Sequence, residues 1–529
     1  MNSGRWKQLG AGLLAGLVAA ILMTLALLAL RSLFGVATPS ELVGDRVAPL
    51  LPVETFIDLL VRFGGYNNLK KLGVGSVIGG QLVVGGLGGL AYAYFAGRVQ
   101  HRREPEQSRA GRRDWLFVGL LVGALWLLSL ILLWPVLGTS YVGLPPGKAT
   151  LANAVALLFA YTLYGLSLAL LYNWMSGSDA AAGGEETAKL HPSGRRAVIA
   201  GGVGAVLALA AVGLLRRLST LATFGYDGTQ YKGADVQAVT PNERFYIVTK
   251  NVVDPDVTPS RWQLEVTGLV EQPQTFRFED LTAMPATTQE TTLRCISNEV
   301  GGGLMSNAVW KGVSLRSLIE RAKPQPGVVE VVLHGVDNYT DTFAFEKALD
   351  PTTMVVYEMN GQPLAQNHGY PVRVIVPGLF GEKNVKWVTR VELVDHDAKG
   401  FYEQQGWGPN FVVPTAARFD LPENKKKLKL SEAAAGVPVK GVAHASRGVA
   451  RVEVSTDDGR TWNEARLDYT RSPLAWVLWS YDWRPTQPGD YKLAVRATDN
   501  NGELQTDKER WTVPEGATGY HKITVPIEA

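Results

Sequence analysis

The sequence predicts a helical membrane domain, then a soluble α+β domain, then a smaller all-β domain of the immunoglobulin-like sandwich type. Three observations support this order. Five apolar stretches of about 20 residues, long enough to cross a bilayer, precede residue 217. Short β-branched runs and helical segments follow, and strand-length runs separated by turns end the chain. We assign residues 1–217 to the membrane domain, 218–241 to a linker, 242–413 to the α+β domain and 414–529 to the sandwich.

Composition excludes several classes of protein. The 529 residues hold 52 Lys and Arg against 49 Asp and Glu, a net charge of +3 that does not suit a polybasic nucleic-acid binder. This balance hides a split, because the chain is basic up to residue 217 and mildly acidic after it. The single cysteine excludes a disulfide framework and any iron–sulfur cluster built from this chain alone.

The five apolar stretches carry no Lys, Arg, Asp or Glu. The second is rich in glycine, which predicts close packing of helices. None contains a histidine, so a bis-histidine haem within the membrane is not expected. The predicted spans are residues 9–30, 72–96, 115–137, 151–174 and 197–215.

Charges in the loops predict the orientation of the spans. Residues 98–113 hold six Arg and two Glu, which is typical of a cytoplasmic loop. Arg5 and Lys7 place the N-terminus in the cytoplasm as well. Five spans then leave the soluble part outside, so we expect a multi-pass protein of the cell membrane with an extracytoplasmic catalytic domain. Arg195 and Arg196, before the fifth span, match a twin-arginine export signal or simply two cytoplasmic positive charges.

The loop of residues 38–71, between the first two spans, is predicted on the outer side of the membrane. Its apolar stretch 56–63 is typical of an interfacial helix, and a docking site for a partner is the alternative.

The soluble part lacks the common nucleotide and metal motifs. No GxGxxG, GxxxxGK[ST], HExxH or CxxCH occurs, so no nicotinamide, flavin, zinc-protease or haem site is predicted. Residues 262–270, 328–333 and 372–376 have strand patterns, and 314–322 have the pattern of a short helix. The expected strands of the sandwich are residues 437–443, 450–455, 462–467, 474–482 and 491–498.

Cys295 is the first candidate for chemistry. A lone cysteine is most often a small buried apolar residue. A free thiol outside the cytoplasm is nevertheless a liability, and the adjacent Arg294 favours the thiolate form. A thiolate serves either as a nucleophile or as a metal ligand, and spacing does not decide between them.

A second candidate group lies about 70 residues further on. His368, Arg373 and Lys386 occur on glycine-bearing loops beside a predicted buried strand. Such cations suit a phosphate-bearing ligand, which Arg holds with two donors and Lys holds as a point charge. The alternative is a set of solvated surface charges.

These two groups carry a resemblance to a known family. Residues 357–387 resemble the molybdopterin-binding domain of the sulfite oxidase family, and Cys295 falls where that family has its molybdenum-ligating cysteine. Residues 452–462 resemble the family's immunoglobulin-like dimerisation domain. The resemblance covers about residues 242–525 and leaves the membrane half unmatched.

The resemblance implies a Mo-molybdopterin cofactor with Cys295 as its metal ligand. It also implies catalytic roles for Cys295, for Tyr339 near the metal and for Arg373. The cofactor-binding residues implied are Val248, Thr249, Lys250, Asn251, Cys295, Asp337, His368, Arg373, Asn384, Val385 and Lys386. Partners implied are a small oxyanion or S-oxide substrate, the lipid bilayer, a second copy of the chain, and a separate cytochrome or quinone-linked electron carrier.

Departures from the family concern the substrate. Where sulfite oxidases carry two arginines after the cysteine, this chain has Glu299 and Val300, and Val309 stands where they have Lys or Arg. Lys250 stands where they usually have Arg. Each lost charge-assisted contact removes about 1.5–3 kcal/mol of anion binding. We expect sulfite-type oxidation first, because the family's methionine-sulfoxide reductases lack the sandwich.

Two alternatives stay open. The less cationic pocket suits reduction of a neutral S-oxide such as methionine sulfoxide. The protein could also be a non-catalytic membrane assembly or binding protein that uses the sulfite-oxidase-like half as a scaffold.

Overall fold

The computed structural model describes residues 3–100, 112–176 and 192–529. Its contacts divide the chain into two units. The first comprises Met1–Ala48, Leu59–Ala222 and Asn251–Val253, and the second comprises Pro49–Asp58, Thr223–Lys250 and Asp254–Ala529. Each unit therefore contains a short segment from the other part of the sequence: Asn251–Val253 in the first unit and Pro49–Asp58 in the second.

The first unit is helical, and five helices of its described residues are long and apolar enough to cross a membrane, which confirms the predicted number. Most of the basic loop of residues 98–113, used to predict the orientation, lies outside the described residues. The helices of the N-terminal part are α1 (Ser3–Phe34), α2 (Pro39–Val47), α3 (Val53–Phe63), α4 (Tyr66–Gln100), α5 (Arg112–Leu133), α6 (Pro146–Ser176) and α7 (Pro192–Thr220).

Glycine allows α1 and α4 to pack backbone against backbone. A Cβ atom at Gly89 would overlap the carbonyl oxygen of Gly12, and one at Gly16 would overlap that of Gly85. Small residues permit this approach in membrane helices, so the predicted glycine packing is confirmed here. Gly79 in the same helix has open space around its Cβ position and takes no part in the contact.

The second unit begins with an α+β region built on two sheets. Its elements are β1 (Gln263–Gly268), β2 (Gln274–Arg277), α8 (Phe278–Ala283), β3 (Thr287–Arg294), β4 (Met305–Ser314), α9 (Leu315–Ala322), β5 (Glu330–Gly335), β6 (Thr340–Ala344), α10 (Phe345–Ala348), β7 (Met354–Met359), β8 (Gln362–Pro363), β9 (Arg373–Ile375) and β10 (Val388–Val394). The first sheet has the strand order β2-β1-β10-β5-β6, and the second has the order β3-β4-β7-β8, with β9 paired to β7.

Two sheets form the C-terminal sandwich. The elements are β11 (Ala416–Leu421), β12 (Leu428–Lys429), α11 (Leu430–Ala433), β13 (Val437–His444), β14 (Val449–Ser455), β15 (Asn463–Glu464), β16 (Arg466–Tyr469), β17 (Val477–Trp483), β18 (Gly489–Asp499) and β19 (His521–Glu528). The strand orders are β11-β13-β17-β16 and β12-β19-β18-β14-β15. The predicted strand at 462–467 is split into β15 and β16, and β11, β12 and β19 were not predicted.

Residues 49–58 belong to the second unit although they lie between the first two predicted spans. Val53 is 2% exposed and shares a hydrophobic cluster with Ile296, Phe380, Trp407, Phe411 and Val413. Ile57 packs against the same cluster. This part of the loop thus completes a core, which neither the interfacial-helix nor the docking-site prediction described.

Candidate functional site

Cys295 follows the last residue of β3 and is buried in a hydrophobic cluster. Its backbone N–H donates to the carbonyl of Leu304, and its Sγ lies 3.0 Å from the Ser297 hydroxyl oxygen. Burial, with the nearby charge of Glu382, raises the pKa of the thiol to about 11. The protein alone therefore keeps Cys295 as a thiol.

The effect expected of Arg294 on the Cys295 thiolate is outweighed by burial of the thiol, although the two charges attract each other. Successive residues of a strand point to opposite faces, and the buried Arg294 guanidinium donates to the carbonyls of Pro414 and Ala517. Arg294 therefore ties β3 to the sandwich side of the unit. Its pKa is lowered to about 10, mainly by burial.

Two of the predicted phosphate-binding cations, Arg373 at the start of β9 and Lys386, lie next to each other. Arg373 and Lys386 are joined by a β-bridge. A Cβ atom at Gly369 would come within 3.1 Å of the Cβ atoms of both residues, so only glycine lets this loop lie against them. Gly369 also has a φ of +108°, which favours glycine.

Arg373 is buried and donates to the carbonyls of His368 and Asn384, at 3.2 and 3.0 Å. Its Nε has no hydrogen-bond partner among the described residues. The Lys386 ammonium donates to the Asn367 carbonyl at 3.1 Å. Burial lowers the pKa of Lys386, and the charge of Arg373 adds to this effect.

His368 is held as a neutral hydrogen-bonding group. Its Nε2 lies 2.8 Å from the Asn242 carbonyl oxygen, to which it donates. Burial lowers the pKa of His368 to about 4, and the charges of Arg373 and Lys386 add to this effect. The hydrogen bond to Asn242 opposes it but is outweighed. His368 would therefore contact a cofactor as an imidazole and not as a cation.

Four other predicted cofactor residues lie near the cation cluster, by which we mean Lys250, Arg373 and Lys386, or pack beneath it. Lys250 donates to the Asp337 carbonyl oxygen at 2.7 Å, and the charge of Asp337 acts on Lys386. The Asn384 side chain bonds the backbone of Val376 and Phe380, and the Val385 side chain is buried in the core, so both would reach a ligand only through their backbone.

The predicted loop of residues 248–251 is divided between environments. Val248 packs against the hydrophobic cluster of Cys295, and the Thr249 hydroxyl donates to Asp254 at 2.9 Å. Asn251 belongs to the first unit, where its carbonyl accepts a hydrogen bond from Lys70.

Tyr339 is part of a buried polar network that sequence reasoning missed. Its hydroxyl donates to the Asp341 carboxylate at 2.7 Å and lies 3.2 Å from the Glu382 carbonyl oxygen. Asp341 accepts from the Lys383 ammonium at 2.7 Å, and Glu403 accepts from the same ammonium at 3.1 Å. Burial and the Asp341 charge raise the pKa of Tyr339 well above its ordinary value, so it stays a neutral donor.

Comparison with known proteins gives the same picture. Residues 251–402 match the family model of the oxidoreductase molybdopterin binding domain, and residues 412–528 match that of the Mo-co oxidoreductase dimerisation domain. Mitochondrial sulfite oxidase of Drosophila melanogaster is 27% identical over 344 residues, which are 55% of this chain and 60% of that protein. The human mitochondrial enzyme is 32% identical over 320 residues, 51% of this chain and 57% of that protein.

The chain belongs to the sulfite oxidase family. It spans about 60% or less of the length of these relatives. NADH nitrate reductase of Solanum lycopersicum is also similar, at 28% identity over 336 residues, 52% of this chain and 37% of that protein. The molybdopterin and dimerisation domains agree with the predicted cofactor and with a homodimer.

The residues present at this site fit a Mo-molybdopterin cofactor. The soft Cys295 thiol, the cation cluster with its orphaned Arg373 Nε, and the glycine that lies against it all suit a phosphate-bearing dithiolene cofactor. Among the described residues, no group of three or more His, Cys, Asp or Glu could hold a metal ion. A metal at Cys295 would therefore take its remaining ligands from a cofactor.

The structure also shows which cations do not replace the missing arginines of the family. Arg294 is bound to Pro414 and Ala517, as described above. Arg316 is half exposed and pairs with Glu320 on the surface of α9. Lys250 is the cation that the sequence places on the cofactor loop, and it donates to Asp337. The charges that act most on the Cys295 thiol are acidic, first Glu382 and then Asp227.

Proposed function

We propose that this protein is a membrane-anchored molybdenum oxidoreductase whose catalytic domain lies outside the cytoplasm and transfers an oxygen atom to or from a small substrate. The observation that carries the proposal is the buried Cys295 thiol in the same domain as the Lys250, Arg373 and Lys386 cluster. Bound there, the cofactor would supply a two-electron centre for oxygen-atom transfer.

Each residue of the site has a distinct task in this proposal. Cys295 would give up its thiol proton and bind the metal as a thiolate, because a bound cation offsets the cost of burying that charge. Arg373, Lys386 and Lys250 would hold the phosphate by charge-assisted contacts. Tyr339 would turn its single O–H from Asp341 to the reacting oxygen when substrate binds.

The test is metal analysis of the purified protein beside the variant Cys295→Ser. We expect stoichiometric molybdenum in the wild type and little in the variant. Ser297→Ala is the control, since it removes the hydroxyl next to Sγ and leaves the thiol. Full molybdenum content and activity in Cys295→Ser would refute the assignment.

Two substrate classes follow from this site. The sandwich domain, matched by the dimerisation model, favours sulfite-type oxidation. The acidic surroundings of Cys295 instead favour reduction of a neutral S-oxide such as methionine sulfoxide. Steady-state assays with sulfite and an artificial acceptor, and with methionine sulfoxide and an artificial donor, separate the two.

Electrons would pass to or from a separate cytochrome or quinone-linked partner, since no second redox motif is found in the sequence. The orientation is supported by the basic loops and by Arg195 and Arg196 at the start of α7. If these arginines are an export signal, changing both to Lys should block export of the soluble part. Protease protection in intact cells would show which side of the membrane it occupies.

A further inference from the structure

Glu382 is a buried acid that nothing in the sequence singled out. Neither of its carboxylate oxygens has a hydrogen-bond partner among the described residues, and both are shielded from solvent. A buried carboxyl group without hydrogen-bond partners is unfavourable in free energy, which points to a ligand or a function for it.

The position of Glu382 is fixed by its short turn, residues Gly381–Lys383. A Cβ atom at Gly381 would overlap the Tyr246 hydroxyl and lie 3.4 Å from the Arg294 carbonyl oxygen. The turn therefore runs directly beside the backbone that carries Cys295. On its other side, the Tyr339 hydroxyl lies 3.2 Å from the Glu382 carbonyl oxygen.

Among the described residues, no cation hydrogen-bonds to this acid. Lys383, its neighbour, is already held between Asp341 and Glu403, with side chains of the first pair 3% and 2% exposed. This part of the site thus contains three carboxyl groups and one ammonium group. The Arg373 guanidinium stacks over Trp310 at 5.2 Å and donates to backbone carbonyls.

We propose, resting on the function proposed above, that Glu382 selects the charge class of the substrate, excluding oxyanions such as sulfite and admitting an uncharged S-oxide or N-oxide. When ionised, its carboxylate repels an anion directly. When neutral, it offers a single O–H donor, which satisfies the oxygen of an uncharged oxide without adding positive charge. Reduction of such an oxide takes two electrons from the separate donor and two protons, and releases the deoxygenated product and water.

The single cysteine gives a test that does not depend on turnover. Cofactor-free protein is treated at pH 9 with equal amounts of iodoacetate, which is anionic, and iodoacetamide, which is neutral. Burial raises the pKa of Glu382 to about 8, so the carboxyl is ionised under these conditions. Both reagents attack the same thiolate, and the ratio of the two adducts at Cys295, read by mass spectrometry, is independent of the thiolate fraction.

We expect Glu382→Gln to raise the proportion of the anionic adduct about tenfold, and Glu382→Asp to leave it at the wild-type value. Glu279→Gln is the matched control, since Glu279 is an exposed acid of the same domain on α8. An unchanged ratio in Glu382→Gln, or an equal rise in Glu279→Gln, overturns the proposal.

The holoenzyme provides the second measurement. At pH 9, Glu382→Gln should raise kcat/KM for sulfite relative to that for a neutral S-oxide by about tenfold. A molybdenum-loaded protein in which this ratio does not move refutes the role of Glu382 and leaves the proposed function intact. A wild-type protein that binds no molybdenum refutes the proposed function, while the adduct ratio still decides whether Glu382 excludes anions.

Discussion

The buried pair of Lys383 and Asp341 gives a prediction whose size follows from the structure. The ammonium and carboxylate groups lie 2.7 Å apart, on side chains only 3% and 2% exposed. Lys383→Met fills a similar volume but leaves Asp341 and Glu403 without their shared cation. Breaking a buried ion pair by removing one partner costs about 3–5 kcal/mol.

The surface pair of Lys347 and Asp350 is a matched control in the same domain. These groups lie 2.9 Å apart on side chains 27% and 34% exposed, so Lys347→Met should cost at most about 1 kcal/mol. Thermal unfolding of the full-length protein in detergent, followed by tryptophan fluorescence, compares the two variants. For a domain of 150–250 residues, the Lys383→Met loss corresponds to a Tm lower by about 6–20 °C.

A functional effect should accompany the loss of stability. Asp341 accepts the Tyr339 hydroxyl proton in a hydrogen bond, and losing Lys383 leaves that carboxylate free to reorient. We therefore expect Lys383→Met to lower kcat even at temperatures where it is folded. A Lys383→Met protein whose Tm falls no further than that of Lys347→Met would show that burial does not strengthen this pair, and the reasoning would be wrong.

Three further predictions use other parts of the chain. Cys295→Ser should abolish molybdenum binding, as measured by metal analysis. Gly89→Ala should lower the Tm of the protein in detergent, because overpacking costs about 1–3 kcal/mol, whereas Gly79→Ala, with open space at its Cβ, should be neutral or stabilising. Burial lowers the pKa of His444 to about 3, so the folded state loses stability as the pH falls from about 6.5 towards 3. His444→Gln should flatten this acid-side decline in Tm, as measured by thermal unfolding across that pH range.

The parts of the site that the sequence predicted are those tied to motifs. Cys295 and the trio His368, Arg373 and Lys386 were candidates by residue type alone. Their roles were assigned by the family resemblance, because a core thiol or a set of solvated surface charges has the same composition. Sequence adjacency suggested only that the charge of Arg294 favours the Cys295 thiolate. The structure engages the Arg294 guanidinium with the carbonyls of Pro414 and Ala517, and burial is the larger influence on the Cys295 thiol.

Other features could not be predicted because they depend on tertiary contacts. Glu382 lies in a three-residue turn with no periodicity, and its burial follows from Tyr246 and Tyr339 packing on either side of that turn. Lys383 has the pattern of a surface lysine, yet its charge is accommodated by acids from β6 and from the segment after β10. By contrast, the sandwich strand β19 alternates in sequence, with Ile523 and Val525 on either side of Thr524, and β11 does so with Phe419 between Arg418 and Asp420. This signal was available and was missed, and pairing with β13 and β18 makes both strands evident.

Residues 49–58 change what the membrane half contributes to this molecule. Val53 and Ile57 pack in a cluster with Ile296, which directly follows the predicted metal ligand, and with Phe380, which directly precedes the turn of Glu382. Burying one such aliphatic side chain is worth about 1.5–3 kcal/mol. A soluble fragment that begins after residue 217 would therefore lack part of its own core beside the site, and its cofactor binding should be weaker than that of the full chain. The segment between the first two predicted spans thus completes the hydrophobic core beside Cys295 and is a structural part of the second unit.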